Sequence, residues 1–322
     1  MTSETEKLCD LASGRWAEGR PDLALCLALR AIRLAPGDLT AHYLAINSIW
    51  LAHAQGIETL LQAWAHAVAP GLSIEAASEF LLDRFSDAPA RYSLFAPLAT
   101  LEFLRGNPVR AETLFGAGLE TNLAPSTPDA TAEDQIRAID YEQAPHHLET
   151  AAAFLDATES WLEGRQGLVI VDIACGTGAL ASRLRPRASR LIGNDISPAM
   201  VEIARPRYDA MKQGDMVAIL KGMEEIADVV TCAGAAYYLP DAAPLLAAAA
   251  GALRPGGQLI MTDYPAPEEM GPMVTCGGNR RHCRPPNLLR RLAAEAGLNE
   301  IGFVHALSYA LPARIWCFAK AV

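Results

Sequence analysis

The chain is short of aromatic residues, of charge and of long apolar runs. Aromatics make up 7% of its 322 residues, so the 51% apolar share rests mainly on Ala and Leu, which favour helices. Charged residues are 20%, with 27 Lys and Arg against 37 Asp and Glu, a net charge of −10. That shortage of positive charge disfavours nucleic acid or an anionic membrane as a bulk partner. No apolar stretch reaches the roughly 18–20 residues that span a bilayer; the longest candidate, Ala242 to Leu253, is short and Ala-rich. The opening residues, MTSETEKLCD, lack the apolar core of a secretory signal. The 7 cysteines form no CxxC pair and no dense framework, so a reduced cytoplasmic protein is expected. Cys276 and Cys283, with His282 beside the second, lack a paired half-site, so no metal is expected.

What is present points to two domains. The length is about twice the roughly 150 residues of a typical domain. Residues 1–160 carry 22 acidic against 10 basic side chains, whereas residues 161–322 carry 15 against 17. The two halves therefore differ in surface chemistry.

The first half reads as helices with short breaks. Apolar residues recur at helical spacing from Leu23 to Leu34 and from Leu44 to Leu51. Pro36 and Pro70 close two segments 34 residues apart, the tetratricopeptide period. GRPDLALCLALRAIRLAPGD resembles the second half of such a repeat, with Gly19 at the turn and Ala24 and Ala31 at small packing positions. Gly106, Ala111, Phe115 and Gly118 resemble the same pattern, and the middle repeat keeps little beyond Ala65 and Pro70. Stacked repeats leave a concave face that holds a protein partner, or they only buttress a neighbour or a homodimer. The aromatics Tyr43, Trp50 and Trp64 are read as core rather than groove. A Pro-rich linker follows at about residues 125–134, and a helix is predicted from about 133 to 162. The boundaries are thus 1–128 and 135–322.

In the second half, Leu168 to Ile173 is a β-branched apolar run, read as a buried parallel strand. Gly176 and Gly178 make a tight turn, a helix is predicted from Ala179, and a second strand ends at Asp195. This is a dinucleotide-fold layout. Gly176, Gly178 and Ala181 also fit a nicotinamide-dinucleotide pattern. Asp172, four residues before Gly176, argues against it, because a carboxylate there repels a pyrophosphate and welcomes an ammonium group. An NAD-dependent oxidoreductase stays as a third reading.

VDIACGTG resembles motif I of the class I S-adenosylmethionine (SAM)-dependent methyltransferases. QGDM, ADVVTCAGAAYYL and LRPGGQLIMTDY continue the match in order. IGFVHALSYALPARIWCFAKAV is similar to the last antiparallel hairpin of that fold. More narrowly, the chain resembles a predicted bacterial group with a tetratricopeptide-like region before the catalytic domain. The resemblance implies a Rossmann-like, doubly wound α/β sheet with a C-terminal antiparallel hairpin, preceded by an all-α domain. It implies SAM as cofactor, held by Tyr141, Asp172, Ala174, Gly176, Gly178, Asp195, Ile196, Met200, Asp215, Met216 and Ala233. In that scheme Asp172 takes the ammonium, Asp195 the ribose, Asp215 the adenine amino group, and Tyr141 folds over the donor.

Methyl transfer is an in-line displacement with a neutral leaving group, so the enzyme mainly positions its reactants. A base is needed only where the acceptor loses a proton. Acceptor groups belong beyond the carboxyl ends of the strands. Tyr237, Asp263 and His147 are the catalytic candidates, and Tyr238 is a pocket residue. CGGNRRHCRPPNLLRR brings Arg280, Arg281, His282 and Arg284, a set able to clamp a carboxylate or phosphate, with Gly277 and Gly278 suggesting a lid. Arg290 and Arg291 are read as a solvated helix face. The expected function is methyl transfer to a small anionic metabolite or to a protein-borne group recruited by the repeats. A SAM-binding scaffold without turnover is the alternative.

Overall fold

The computed structural model describes residues 3–88, 91–121, 145–270, 274–275 and 281–322. The chain divides into two compact units, Met1–Glu120 and Thr121–Val322.

The first unit is helical: α1 (Glu4–Ala17), α2 (Pro21–Leu34), α3 (Leu39–Ala52), α4 (Ile57–Val68), α5 (Ile74–Phe85), α6 (Tyr92–Leu104) and α7 (Pro108–Gly118). Helix α1 packs on α2, α2 on α3, and α6 on α7. The turns before α2 and α7 share one solution. Gly19 and Gly106 take φ of +72° and +86°. Pro21 and Pro108 then open the helix, where a missing N–H has no intrahelical partner to lose. Ala24, Ala31, Ala65 and Ala111 are fully buried. A Cβ on Gly118 would lie 3.1 Å from the Phe95 Cβ, so only small residues allow this approach of α7 to α6. Trp64 is core, its Nε1 donating to His42 Nδ1 at 3.1 Å, while Trp50 is half-buried and Tyr43 is exposed.

The second unit is a Rossmann-like α/β domain. Helix α8 (Pro145–Trp161) precedes β1 (Leu168–Ile173), followed by α9 (Ala181–Leu184), β2 (Ala188–Asp195), α10 (Pro198–Ala204), β3 (Ala210–Gln213) and α11 (Met216–Lys221). Then come β4 (Ala227–Cys232), α12 (Ala243–Ala252), β5 (Leu253–Pro265), β6 (Val274–Thr275), β7 (His282–Arg284), α13 (Pro286–Glu295), β8 (Leu298–Ser308) and β9 (Leu311–Lys320). The main sheet runs β3-β2-β1-β4-β5-β9-β8, parallel through β5 and antiparallel at β9 and β8. The helix after the glycine turn starts at Ala181 rather than at Ala179 and ends at Leu184. Pro186 lacks the N–H that a further turn requires, and the chain passes into a 3-10 turn at Arg185–Arg187.

Alternation along β1 sorts its side chains. Val171 and Ile173 pack with Leu245, Leu246 and Ala249 of α12. Leu168 and Ile170 pack with Phe154 and Leu155 of α8 and with Tyr208. Each fully buried Leu contributes about 1.5–3 kcal/mol. The period of two puts Asp172 on the Ile170 side, as a carboxylate on an apolar face. The order of crossovers reverses between β1 and β4, so their carboxyl ends flank the crevice where such sheets take ligands.

Candidate functional site

The chain leaves β1 through Ala174, which has φ +49°. Left-handed backbone costs a non-glycine residue about 1–2 kcal/mol, so strain is held at this turn. The turn is pinned to β2: Cys175 N donates to Asn194 O, and Gly176 N donates to Asp195 Oδ2, both at 2.8 Å. Gly178 has a packing role as well. A Cβ there would sit 2.9 Å from Tyr208 Cε2.

Asp172 is 1% exposed. Its oxygens accept from Tyr208 Oη at 2.6 Å and from Thr231 Oγ1 at 2.8 Å. Burial pushes its carboxyl up to about 6, against the pull of those two hydroxyls and with a further push from the nearby Asp195 charge. Asp195 is raised as well, again by burial, and Ser197 N donates to its Oδ1 at 2.9 Å. Two buried carboxylates thus flank one loop, and a cationic ligand is what their field favours.

A cavity open to solvent lies against this loop. Asp172, Ala174, Cys175, Gly176 and Ala233 line it from the strand ends, and His147, Thr150 and Tyr309 face them. It therefore collects Asp172, Ala174, Gly176, Ala233 and His147 of the predicted residues. Asp215 is exposed and caps α11, its Oδ1 accepting from Ala218 N at 2.9 Å. Met216 is half-buried beside it and Ile196 is exposed. Met200 is a core residue of α10 and does not line the cavity. Tyr141, Cys276, Gly277, Gly278 and Arg280 lie outside the described residues.

The structure corrects the assignments of Asp263, Arg284 and Tyr237. Asp263 as a base and Arg284 as a substrate clamp are committed to each other, at 2.5 Å, with both side chains 2% exposed. Register explains the pairing: β7 lies parallel to the end of β5, with Pro265 opposite Arg284. Arg284 also donates to the carbonyls of Ala236 and Leu239. Burial pushes the Asp263 carboxyl up to about 6 despite the opposing pull of Arg284. His282 is buried too, its burial and the Arg284 charge holding the imidazole below its usual range. Arg290 pairs with Glu300 at 2.6 Å and Arg291 with Glu295 at 3.7 Å, on the solvated face.

Tyr237 is fully buried and stacks on Tyr264, ring centroids 4.5 Å apart. Burial raises its hydroxyl well above the ordinary tyrosine range, so it stays protonated and is no base at neutral pH. Tyr238 meets it at 5.0 Å. His147 sets its ring edge-on to Tyr309 at 4.7 Å.

Tyr208, Thr231 and Tyr309 were not legible as site residues. Tyr208 acts through Asp172, and a hydrogen bond to a buried carboxylate contributes about 1.5–3 kcal/mol. Tyr208→Phe is expected to raise the Asp172 titration further. The pH below which S-adenosylhomocysteine (SAH) binding weakens then moves upward by about one unit, as calorimetric titration across pH would read. An unmoved profile would mean that Tyr208 only packs.

Residues 171–261 match the family model described as a methyltransferase domain. That match lies wholly within the second unit. A ubiquinone biosynthesis O-methyltransferase of Alkalilimnicola ehrlichii is 33% identical over 116 residues, 34% of this chain and 46% of that protein. Isonocardicin synthase of Nocardia uniformis is 40% identical over 108 residues, 31% of this chain and 35% of that protein. The chain thus spans less than half the length of these curated relatives. Among solved structures, the N-methyltransferase NodS of Bradyrhizobium japonicum, in complex with SAH, aligns with a TM-score of 0.48 and 19% identity, over 60% of this chain and 99% of that one.

Proposed function

We propose that the methyltransferase domain of this chain binds SAM against the Asp172 loop and transfers its methyl group to a small anionic metabolite or a protein-borne group. The observation that carries the reading is Asp172: a buried carboxylate, oriented by two hydroxyls, that opens onto the cavity beside the glycine turn. When bound, SAM supplies an electrophilic methyl group on a sulfonium whose departure leaves a neutral thioether. Asp172 accepts the ammonium. The 174–176 backbone approaches the ligand closely, Asp195 faces the ribose and Asp215 the adenine. The residues fit the group because buried negative charge at the loop needs a cation and would repel a pyrophosphate.

The acceptor enters from the side of His147, Ala233 and Tyr309. His147 is the remaining candidate base, because Asp263 is held by Arg284 and Tyr237 stays protonated. The helical unit is the candidate recruiter of a protein-borne acceptor, and a homodimer through it is the other assembly to test by sedimentation.

The test is turnover of methyl-labelled SAM in an extract, with SAH affinity measured in parallel. Label moves into a small molecule or a protein in the presence of the chain and not in that of Asp172→Ala. SAH binding with no labelled product across extracts and growth conditions would instead support a SAM-binding scaffold.

A further inference from the structure

The arginine-rich segment is not one clamp. Arg284 is neutralised by Asp263, and Arg290 and Arg291 pair with glutamates on the helix surface. Arg281 differs from all three. Its guanidinium carbon lies 4.6 Å from the Tyr309 ring centroid, 5.3 Å from that of Tyr237 and 6.0 Å from that of Tyr238. Its Nη1 donates to Tyr264 Oη at 3.3 Å. Among the described residues no carboxylate stands within ion-pair distance of it. Ring faces offset part of the cost of withdrawing the charge from water, but they leave its sign unchanged.

The location gives that charge a use. Tyr309 belongs to both places: its ring lines the donor cavity with Asp172 and Ala233, and it also carries the Arg281 guanidinium. Tyr309 is held there by a two-residue hairpin turn, Tyr309 and Ala310, with φ of +50° and +59°, and by its backbone N–H, which donates to Thr150 Oγ1 at 2.9 Å. The Tyr237 ring is fixed from the other side by its stack on Tyr264, and its backbone turn by the bonds from Arg284 to the carbonyls of Ala236 and Leu239. Arg281 is therefore a cation held among ring faces, with no carboxylate partner among the described residues, one ring away from the cavity beside Asp172.

We propose that Arg281 is the specificity-determining residue for the acceptor, binding a carboxylate that the acceptor carries on an aromatic or other flat body. A single planar guanidinium matches a carboxylate, which it can meet with two parallel N–H bonds. The surrounding tyrosine faces suit a flat body more than a solvated, flexible one. Tyr237 and Tyr309 are positioning residues that set the plane of the guanidinium. The proposal rests on the methyltransferase reading only for the place of the donor.

The test uses the full chain saturated with SAH and three probes of one shape: benzoate, benzamide and benzylammonium. Ligand-observed magnetic resonance should show benzoate binding in preference to benzamide, with benzylammonium weakest. Arg281→Gln should weaken benzoate by about 10- to 100-fold, the worth of a charge-assisted hydrogen-bond pair, and should leave SAH affinity within about twofold. Arg281→Lys should fall between, because a point charge keeps attraction and loses the fork. Equal benzoate binding by the wild-type chain and Arg281→Gln overturns the proposal, as does no benzoate binding by the wild-type chain. A preference for benzylammonium also overturns it, since the tyrosines would then be a cage for a cationic acceptor that displaces Arg281. Failure of SAH itself to bind is read separately and counts against the donor site rather than the carboxylate anchor.

Discussion

Asp172→Asn is expected to weaken SAH binding strongly and to make the free protein more stable. A buried ammonium–carboxylate pair is worth about 2–5 kcal/mol when one partner is removed, so SAH affinity drops by about 100-fold or more. The stability change has the opposite sign. The Asp172 carboxyl titrates near 6 in the fold, against its ordinary value of 3.8. Between those values the folded chain holds a proton that the unfolded chain has released. Stability therefore falls as pH rises through this window and is flat above it. The buried charge costs about 3 kcal/mol at neutral pH, and a neutral amide of the same shape recovers about 1–3 kcal/mol of that. In thermal unfolding this is a rise of about 2–8 °C at pH 7.5 that vanishes near pH 4. In the wild-type chain, SAH affinity is expected to decline as pH drops below about 6, because a protonated carboxyl would no longer pair with an ammonium. A variant that loses both affinity and stability would show that Asp172 is chiefly a structural acceptor for Tyr208 and Thr231. Such a trade of stability for binding is what a poised site entails.

Arg284→Ala is the most destabilising single change expected in the second unit. It strands the Asp263 carboxylate in a buried position and removes the donor that serves the carbonyls of Ala236 and Leu239. Breaking such a pair costs about 3–5 kcal/mol, far more than loss of an exposed pair such as Arg183 with Asp156. The penalty should be smaller at pH 5 than at pH 8, because Asp263 without its partner takes up a proton. Asp263→Asn combined with Arg284→Met should recover most of the loss, since the pair contributes little beyond satisfying itself. Urea unfolding of the wild type, Asp263→Asn, Arg284→Met and the double variant, at both pH values, gives the coupling. A loss under about 1 kcal/mol with no pH dependence would mean that water reaches the pair. Because the same guanidinium holds the turn that carries Tyr237 and Tyr238, the variant should also bind benzoate less well.

Much of the site could be read along the chain because its signals are local. The β1 run, the glycine turn, the acids ending β2 and following β3, and the final hairpin each depend on neighbours a few residues away. Backbone periodicity and turn sterics set them before any packing is known. The small residues of the helical unit were legible for the same reason, and Ala24, Ala31, Ala65 and Ala111 are buried as their spacing predicts. The roles within the arginine segment were not legible. Five arginines in one run look alike, and what separates them is which partner the fold brings near. The partner of Arg284 is 21 residues back, reached through the parallel register of β7 on β5. Tyr208 meets Asp172 from 36 positions away, and the Tyr309 N–H finds Thr150 across 159.

The sequence by itself determined the strand, turn and strand layout of the second unit, its glycine loop and the acid that comes to lie beside that loop. Only the tertiary structure decided which of the arginines pair within the fold: Arg284, Arg290 and Arg291 meet carboxylates, and Arg281 meets none among the described residues. The shortage of positive charge in the whole chain says nothing on that point. A net charge of −10 is a sum over 64 side chains, whereas the proposed recognition depends on a single guanidinium that has no carboxylate partner among the described residues. The physical reason is range. Turn and strand preferences act over a few bonds, while the energy of a buried charge is set by everything within a few ångströms of it, whatever its place in the chain.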